Sequence, residues 1–128
     1  MEDVTMNPSK IVRAISIRQP YMELILRGKK RIEYRSTPTS IRERVYLYAS
    51  SRPADDADAW RKAKADPGDL PSGEIVGTVE IAGCRISRFE GCYEYLLVRP
   101  RRLRSHLHPI NQPQPRFWRP KFGTRRSG

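Results

Sequence analysis

The sequence predicts an α+β domain, a small mixed β-barrel of about five to six strands with flanking helices. Several short β-rich runs follow one another, separated by turns that contain proline and glycine. Only two segments carry helical spacing or helix-end chemistry. That balance in one small chain disfavours a parallel sheet sandwiched between helices. The 128 residues fit a single domain, which at this size buries roughly two-thirds of its unfolded surface, enough for one core.

Residues 1–10 read as a disordered lead, 11–122 as the domain and 123–128 as a frayed tail. Ile11, Val12, Ala14, Ile15 and Ile17 form the first β-rich run. Gln19-Pro20 breaks it, and Pro20 suits the start of a helix. Tyr21, Leu24 and Ile25 recur at i, i+3 and i+4, which is one helical face. Gly28 ends that helix, with Arg27, Lys29 and Lys30 around its negative end. Residues 31–35 are the second strand. A polar turn over 36–44 holds Pro38, and residues 45–49 are a buried third strand. A second helix is expected over 55–65, with aspartates near its start and Lys62 and Lys64 near its end, as the macrodipole favours. Residues 74–82 alternate around Ile75, Val79 and Ile81 and are expected to be the longest strand. Residues 87–93 are irregular or a short helix, and 94–98 are a further strand. From 99 to 122, five prolines allow short edge strands at most.

The formal charge is +11, from 25 Lys and Arg against 14 Asp and Glu. A polyanion is the partner that such a surface attracts most strongly. Arginine dominates the later part of the chain, at Arg99, Arg101, Arg102, Arg104, Arg116 and Arg119 among others. Guanidinium pairs bidentately with phosphate and stacks on bases. No basic amphipathic helix is visible, which weighs against an anionic membrane surface. No apolar run approaches the roughly 20 residues of a membrane span. The first residues show no basic region followed by an apolar stretch, so a cytoplasmic location is expected. Cys84 and Cys92 cannot complete a four-ligand zinc site, and the spacing of His106 and His108 falls outside the usual range for a histidine pair. No metal or other cofactor is expected, nor a disulfide in a reducing compartment. Nothing implies an oligomer, and a monomer is the expectation.

The most informative block runs from Ser16-Ile17-Arg18-Gln19-Pro20-Tyr21 to Gly28-Lys29-Lys30-Arg31-Ile32-Glu33-Tyr34-Arg35. On an ideal strand Lys30, Ile32 and Tyr34 share one face, and Arg31, Glu33 and Arg35 the other. Three charges on one face do not build a core. Glu33 between two arginines could hold either guanidinium in place. The helix ending at Gly28 lies next to this strand, so Gln19 at its start and Lys30 after its end could face one cleft. Lys30 and Glu33 are three apart, so either the chain is irregular between Lys30 and Arg35 and both reach one pocket, or only one of the pair lies inside the cleft.

The order Ser-Ile-Arg-Gln-Pro-Tyr, a short helix, then Gly-x-Lys-x-x-Glu-x-Arg resembles the signature of the ASCH domain family. Later segments agree: 45–50, Gly73-Glu74-Ile75-Val76-Gly77-Thr78-Val79-Glu80, Tyr95-Leu96-Leu97 and Gln114-Pro115-Arg116-Phe117-Trp118. The resemblance implies a PUA-like β-barrel with a cleft beside the signature, proposed in the family to bind RNA. Carried across by motif, the cleft residues are Gln19, Lys30, Glu33 and Arg35. Some small members of the superfamily are amidohydrolases acting on N4-acetylcytidine. They carry a threonine, the supposed nucleophile, where this chain has Glu33. Other members have been described as ribonucleases.

Two readings follow. One is a nucleic-acid binding module, probing RNA or another single strand with a basic cleft. Its contact residues would be Gln19, Lys30, Glu33, Arg35, Ser50, Arg101, Arg102, Arg104, Arg116 and Trp118. Trp118, between two arginines, is the best-placed aromatic for base stacking. Ser50 either lines the cleft or caps the helix that follows it. The other reading is a hydrolase on RNA or a modified nucleoside, with Lys30 and Glu33 as acid and base. The missing threonine weighs against the amidohydrolase form, and the binding module is preferred. A protein-interaction role is a third possibility.

Overall fold

A computed structural model describes residues 11–123. The lead expected over 1–10 lies outside the described residues, as does the tail from 124 onward. Eight elements follow in order: β1 (Ala14–Ile17), α1 (Tyr21–Leu26), β2 (Ile32–Arg35), β3 (Arg44–Ala49), α2 (Ala57–Ala63), β4 (Glu74–Ile86), β5 (Tyr93–Leu107) and β6 (Phe117–Trp118). The strands form one sheet in the order β2-β5-β4-β3-β1-β6. β1 and β3 run parallel and every other pairing is antiparallel. The sheet curls into a half-barrel, the small α+β PUA-like architecture that was expected.

The edges β2 and β6 do not pair, yet side chains join them to the opposite wall. Arg35 at the end of β2 donates to the Ser16 carbonyl of β1 (2.8 Å). Phe117 of β6 stacks on Tyr95 of β5, with centroids 5.9 Å apart and planes 9° apart. The concave side holds the main core, including Ile15, Ile17, Met22, Ile25, Val45, Leu47, Val79 and Ile81. A smaller cluster on another face gathers Ile11, Ala14, Tyr46, Ile75 and Trp118.

β4 reaches across both clusters because it is irregular. Leu47 pairs Gly77 and Tyr48 pairs Ile75, so Val76 is an extra residue in β4. The bulge puts Val76 into the same core as Val79 and Ile81, positions that strict alternation would separate. Gly77 is required here: a Cβ would stand 2.5 Å from the Arg101 carbonyl and 2.6 Å from Leu26. Its bare backbone lets α1 and β5 approach β4.

Two expectations are corrected. The longest strand is β5, with 15 residues, not β4, with 13. β5 also continues through Pro100 into the region where only short edge strands were expected. Arg99 and Pro100 together oppose the single residue Val79, a bulge with Arg99 at φ +53°. Proline is tolerated at a bulge, and β2 no longer pairs with β5 beyond Leu96. Past that bulge, His106 and His108 both meet the Glu74 carboxylate, at 2.9 and 2.8 Å. Cys84 and Cys92 are free thiols.

Candidate nucleic-acid interface

α1 is the element that sets the site. It begins after the cis Gln19-Pro20 peptide and ends where Gly28 takes φ +77°. Gln19, 3% exposed, lies at its start. The Gln19 amide oxygen accepts from Glu23 N (3.0 Å), and its nitrogen donates to the Pro71 carbonyl (3.0 Å). Both ends of the amide therefore hold the helix and a distant loop in place. Below, Glu23 accepts from both terminal nitrogens of Arg102 (3.0 and 2.6 Å) and from Arg27 Nε (2.8 Å). Burial works against the charge on Glu23, but these hydrogen bonds outweigh it and its pKa lies below the usual value.

Lys30 follows the helix in the link to β2. Its ammonium sits 5.5 Å from the ring centroids of both Tyr21 and Tyr34. It donates to the Ile32 carbonyl (2.6 Å) and lies 3.7 Å from Glu33 Oε1. The other Glu33 oxygen accepts from Arg35 Nε (2.9 Å). Lys30, Glu33 and Arg35 thus form one half-buried network that extends through Arg35 to Ser16. Of the two expected outcomes the second holds: no irregularity lies inside the strand, and Lys30 but not Glu33 lines the cleft between α1, α2 and β2. β2 keeps a regular register from Ile32 to Arg35, and Lys30 precedes it. The alternation argument does not govern a residue outside the strand, so Lys30 turns back onto Glu33.

Tyr21 donates its hydroxyl to Asp56 Oδ2 (2.5 Å). That hydrogen bond, aided by burial, raises the Tyr21 pKa to about 12. The same bond lowers the pKa of Asp56, which also caps α2 by accepting from Ala59 N (3.1 Å). Between α1, α2 and β2 lies an open cleft of about 510 Å³ walled by Tyr21 and Tyr34. Its charged lining is Lys29, Lys30, Arg31 and Lys62 against Asp56 and Asp58. A phenol, not a phenolate, therefore faces a cationic cleft. Asp56 was missed as a site residue. Its position before α2 marked a cap, but nothing marked the tyrosine 35 residues upstream that it meets.

The remaining sequence-predicted residues lie elsewhere. Ser50 Oγ accepts from Arg52 N (3.2 Å) in the turn after β3, so it does not cap α2, whose N-cap is Asp56. Arg101 and Arg104 are exposed on β5, whereas Arg102 is tied to Glu23. Arg116, at φ +63°, lines a separate depression with Pro38, Thr39 and Phe117. Trp118 corrects the stacking expectation. It is 4% exposed, packed edge-on against Tyr48 at 5.5 Å, and has no free face for a base. Its indole nitrogen is buried without a hydrogen-bond partner. Alternation along β6 explains this: Phe117 turns to the concave core and Trp118 to the other cluster. Among the described residues, no group of three or more His, Cys, Asp or Glu is placed to hold a metal ion. No described helix is long and apolar enough to cross a membrane.

No curated protein matches the chain. Among solved structures it is similar to an ASCH protein from Zymomonas mobilis, with 15% identity, a TM-score of 0.58, and 84% of this chain and 85% of that one covered. A serine-to-alanine mutant of the Zymomonas mobilis protein matches at 17% identity and a TM-score of 0.58, covering 84% of this chain and 86% of that one. At these identities the likeness shows the fold. The profile of the ASCH domain matches residues 15–106, which span β1 through nearly all of β5 and contain the entire Lys30 network. The chain belongs to the ASCH domain family.

Proposed function

We propose that this domain is a nucleic-acid binding module, with RNA as its target, and that the cleft beside Lys30 receives the strand. The observation that carries the reading is the Lys30 ammonium between two tyrosine rings, in a cleft with four cations and two carboxylates. Cations attract the phosphates, and ring edges and faces give bases an apolar contact. A net charge of +11 supports a polyanionic partner. Binding is preferred to catalysis because both oxygens of Glu33 face cations of the protein itself. A carboxylate held in that way positions Lys30 and Arg35 rather than meeting a substrate proton.

The test is titration of the protein with single-stranded RNA, duplex RNA and DNA at two salt concentrations, with RNA integrity checked afterwards. Saturable, salt-sensitive binding without strand cleavage is expected. Absence of binding to all three at low salt would overturn the reading.

A further inference from the structure

Tyr34 and Phe89 are among the most exposed aromatic side chains described, at 42% and 52%. They touch each other, edge to face, with ring centroids 5.7 Å apart. Each ring also carries a cation: Lys30 lies 5.5 Å from the Tyr34 centroid, and the Arg88 guanidinium 5.5 Å from that of Phe89. The row therefore continues from the Lys30 cleft along β2 to the tip of the β4–β5 hairpin.

Phe89 is not displayed on a loose loop. Its backbone nitrogen donates to Ser87 Oγ (3.0 Å), Cys92 N donates to its carbonyl (3.1 Å), and Ser87 N donates to the Cys92 carbonyl (3.0 Å). Gly91, at φ +75°, completes the turn. A large apolar ring held out on a bonded turn contributes nothing to either core cluster. Packing does not explain it.

We infer that Tyr34 and Phe89 form a stacking platform for unpaired bases of a single strand whose phosphates run along the Lys30 cleft. The inference rests on the nucleic-acid reading above and names its substrate class. A base is flat and polarisable, as guanidinium is, so it can replace Arg88 on the face of Phe89 and release that arginine to a phosphate. Complementarity of charge selects an anionic partner over a neutral or basic one, since Lys29, Lys30, Arg31 and Lys62 line the adjoining cleft, and the exposed ring faces of Tyr34 and Phe89 match the flat bases of a nucleic acid. The turn itself carries Arg88 together with Glu90, so its share of affinity comes from ring faces rather than net charge. Duplexes hide their base faces and gain nothing from such a platform.

The experiment compares wild type, Phe89→Ala and Phe89→Tyr. The probes are a labelled single-stranded RNA of mixed sequence, its duplex, and vesicles of anionic phospholipid, each at two salt concentrations. Phe89 is exposed, so the fold should tolerate either change; circular dichroism checks this. Phe89→Ala should weaken single-strand binding about 5- to 150-fold, with an unchanged salt slope. Duplex binding should stay as in wild type, and Phe89→Tyr should restore the single-strand affinity. Tyr34→Leu against Tyr34→Phe repeats the comparison on the other ring.

If wild type binds the single strand and Phe89→Ala binds it equally well, the platform is wrong and the nucleic-acid reading stands. If wild type binds neither RNA, both fail. Equal losses on single strand and duplex with a flatter slope would overturn stacking in favour of charge. Loss confined to vesicle binding, or to self-association in sedimentation, would overturn it by assigning the patch to lipid or to a second copy of the chain.

Discussion

Lys30 is the most constrained cation of the cleft, with two rings, a carbonyl and a carboxylate around one ammonium. Replacing it with alanine should weaken RNA binding across sequences and lower the salt slope by about one, measured by titration over a salt series. Glu33→Gln should change affinity less, because it removes a carboxylate that repels phosphate, while the two tyrosine rings and the Ile32 carbonyl still hold Lys30. The same variant decides the catalytic question. Any wild-type turnover of RNA or of an acetylated nucleoside that survives Glu33→Gln intact excludes Glu33 as a base. Tyr21 cannot serve as that base instead, since its pKa is pushed up to about 12 by Asp56. Trp118 belongs to stability. Trp118→Ala should cost about 3–5 kcal/mol in urea unfolding, as large core truncations do. RNA affinity of the remaining folded protein should be unaltered, and a selective loss of binding would return Trp118 to the interface.

α1 has six residues, too short to stand without tertiary support. Its place depends on Gln19 at one end, on Met22 and Ile25 in the core, and on Glu23 clasped by Arg102 and Arg27. The pKa of Glu23 is lowered in the folded protein, so its ionic contribution is full above the ordinary carboxylate value of 4.5 and is lost as pH falls through the folded value. Unfolding free energy followed from pH 7 into acid should therefore fall below that range. Glu23→Gln should be less stable at neutral pH and show a shallower acid limb. An identical acid limb in the two proteins would show that Glu23 does not couple to folding. The helical face of Tyr21, Leu24 and Ile25 and the stop at Gly28 were legible in the sequence, because spacing and glycine chemistry are local. The clasp was not, because Arg102 lies 79 residues from Glu23.

The positive charge of the whole molecule is unevenly free to act. Arg102 is committed to Glu23, while Arg99 pairs Glu80 (2.9 Å) and Arg13 pairs Glu43 (2.8 Å). Arg101 and Arg104 have no ion-pair partner among the described residues. Arg101 stands close enough to Arg44 to help lower its pKa, behind the larger effect of burial. Replacing Arg101 and Arg104 together should flatten the salt dependence of RNA binding by up to about two units. Removing Arg102 as well would add a structural fault by leaving the Glu23 carboxylate without its main partner. An unchanged slope in the double variant would mark this stretch of β5 as a solvated face and confine the interface to the Lys30 cleft.

The small α+β class, both helices, the strand following Gly28 and the ASCH signature were readable from residue order, because hydrophobic period, turn residues and helix ends are encoded within a few positions. The signature also singled out Gln19, Lys30, Glu33 and Arg35; the fold brings the last three into one network, but it buries Gln19, and only Lys30 of the four lines the cleft. Three things needed the folded chain. The extent of β5 depended on a bulge that absorbs Pro100, and a bulge has meaning only against a partner strand. The opposite fates of Phe117 and Trp118 depended on which face of β6 meets which cluster. The Tyr34–Phe89 pair joins β2 to a turn 55 positions later, a proximity created only when β5 returns alongside β2. Local chemistry acts along the chain, whereas burial and pairing are set by residues far apart in sequence, and those decided which side chains are free to meet a ligand.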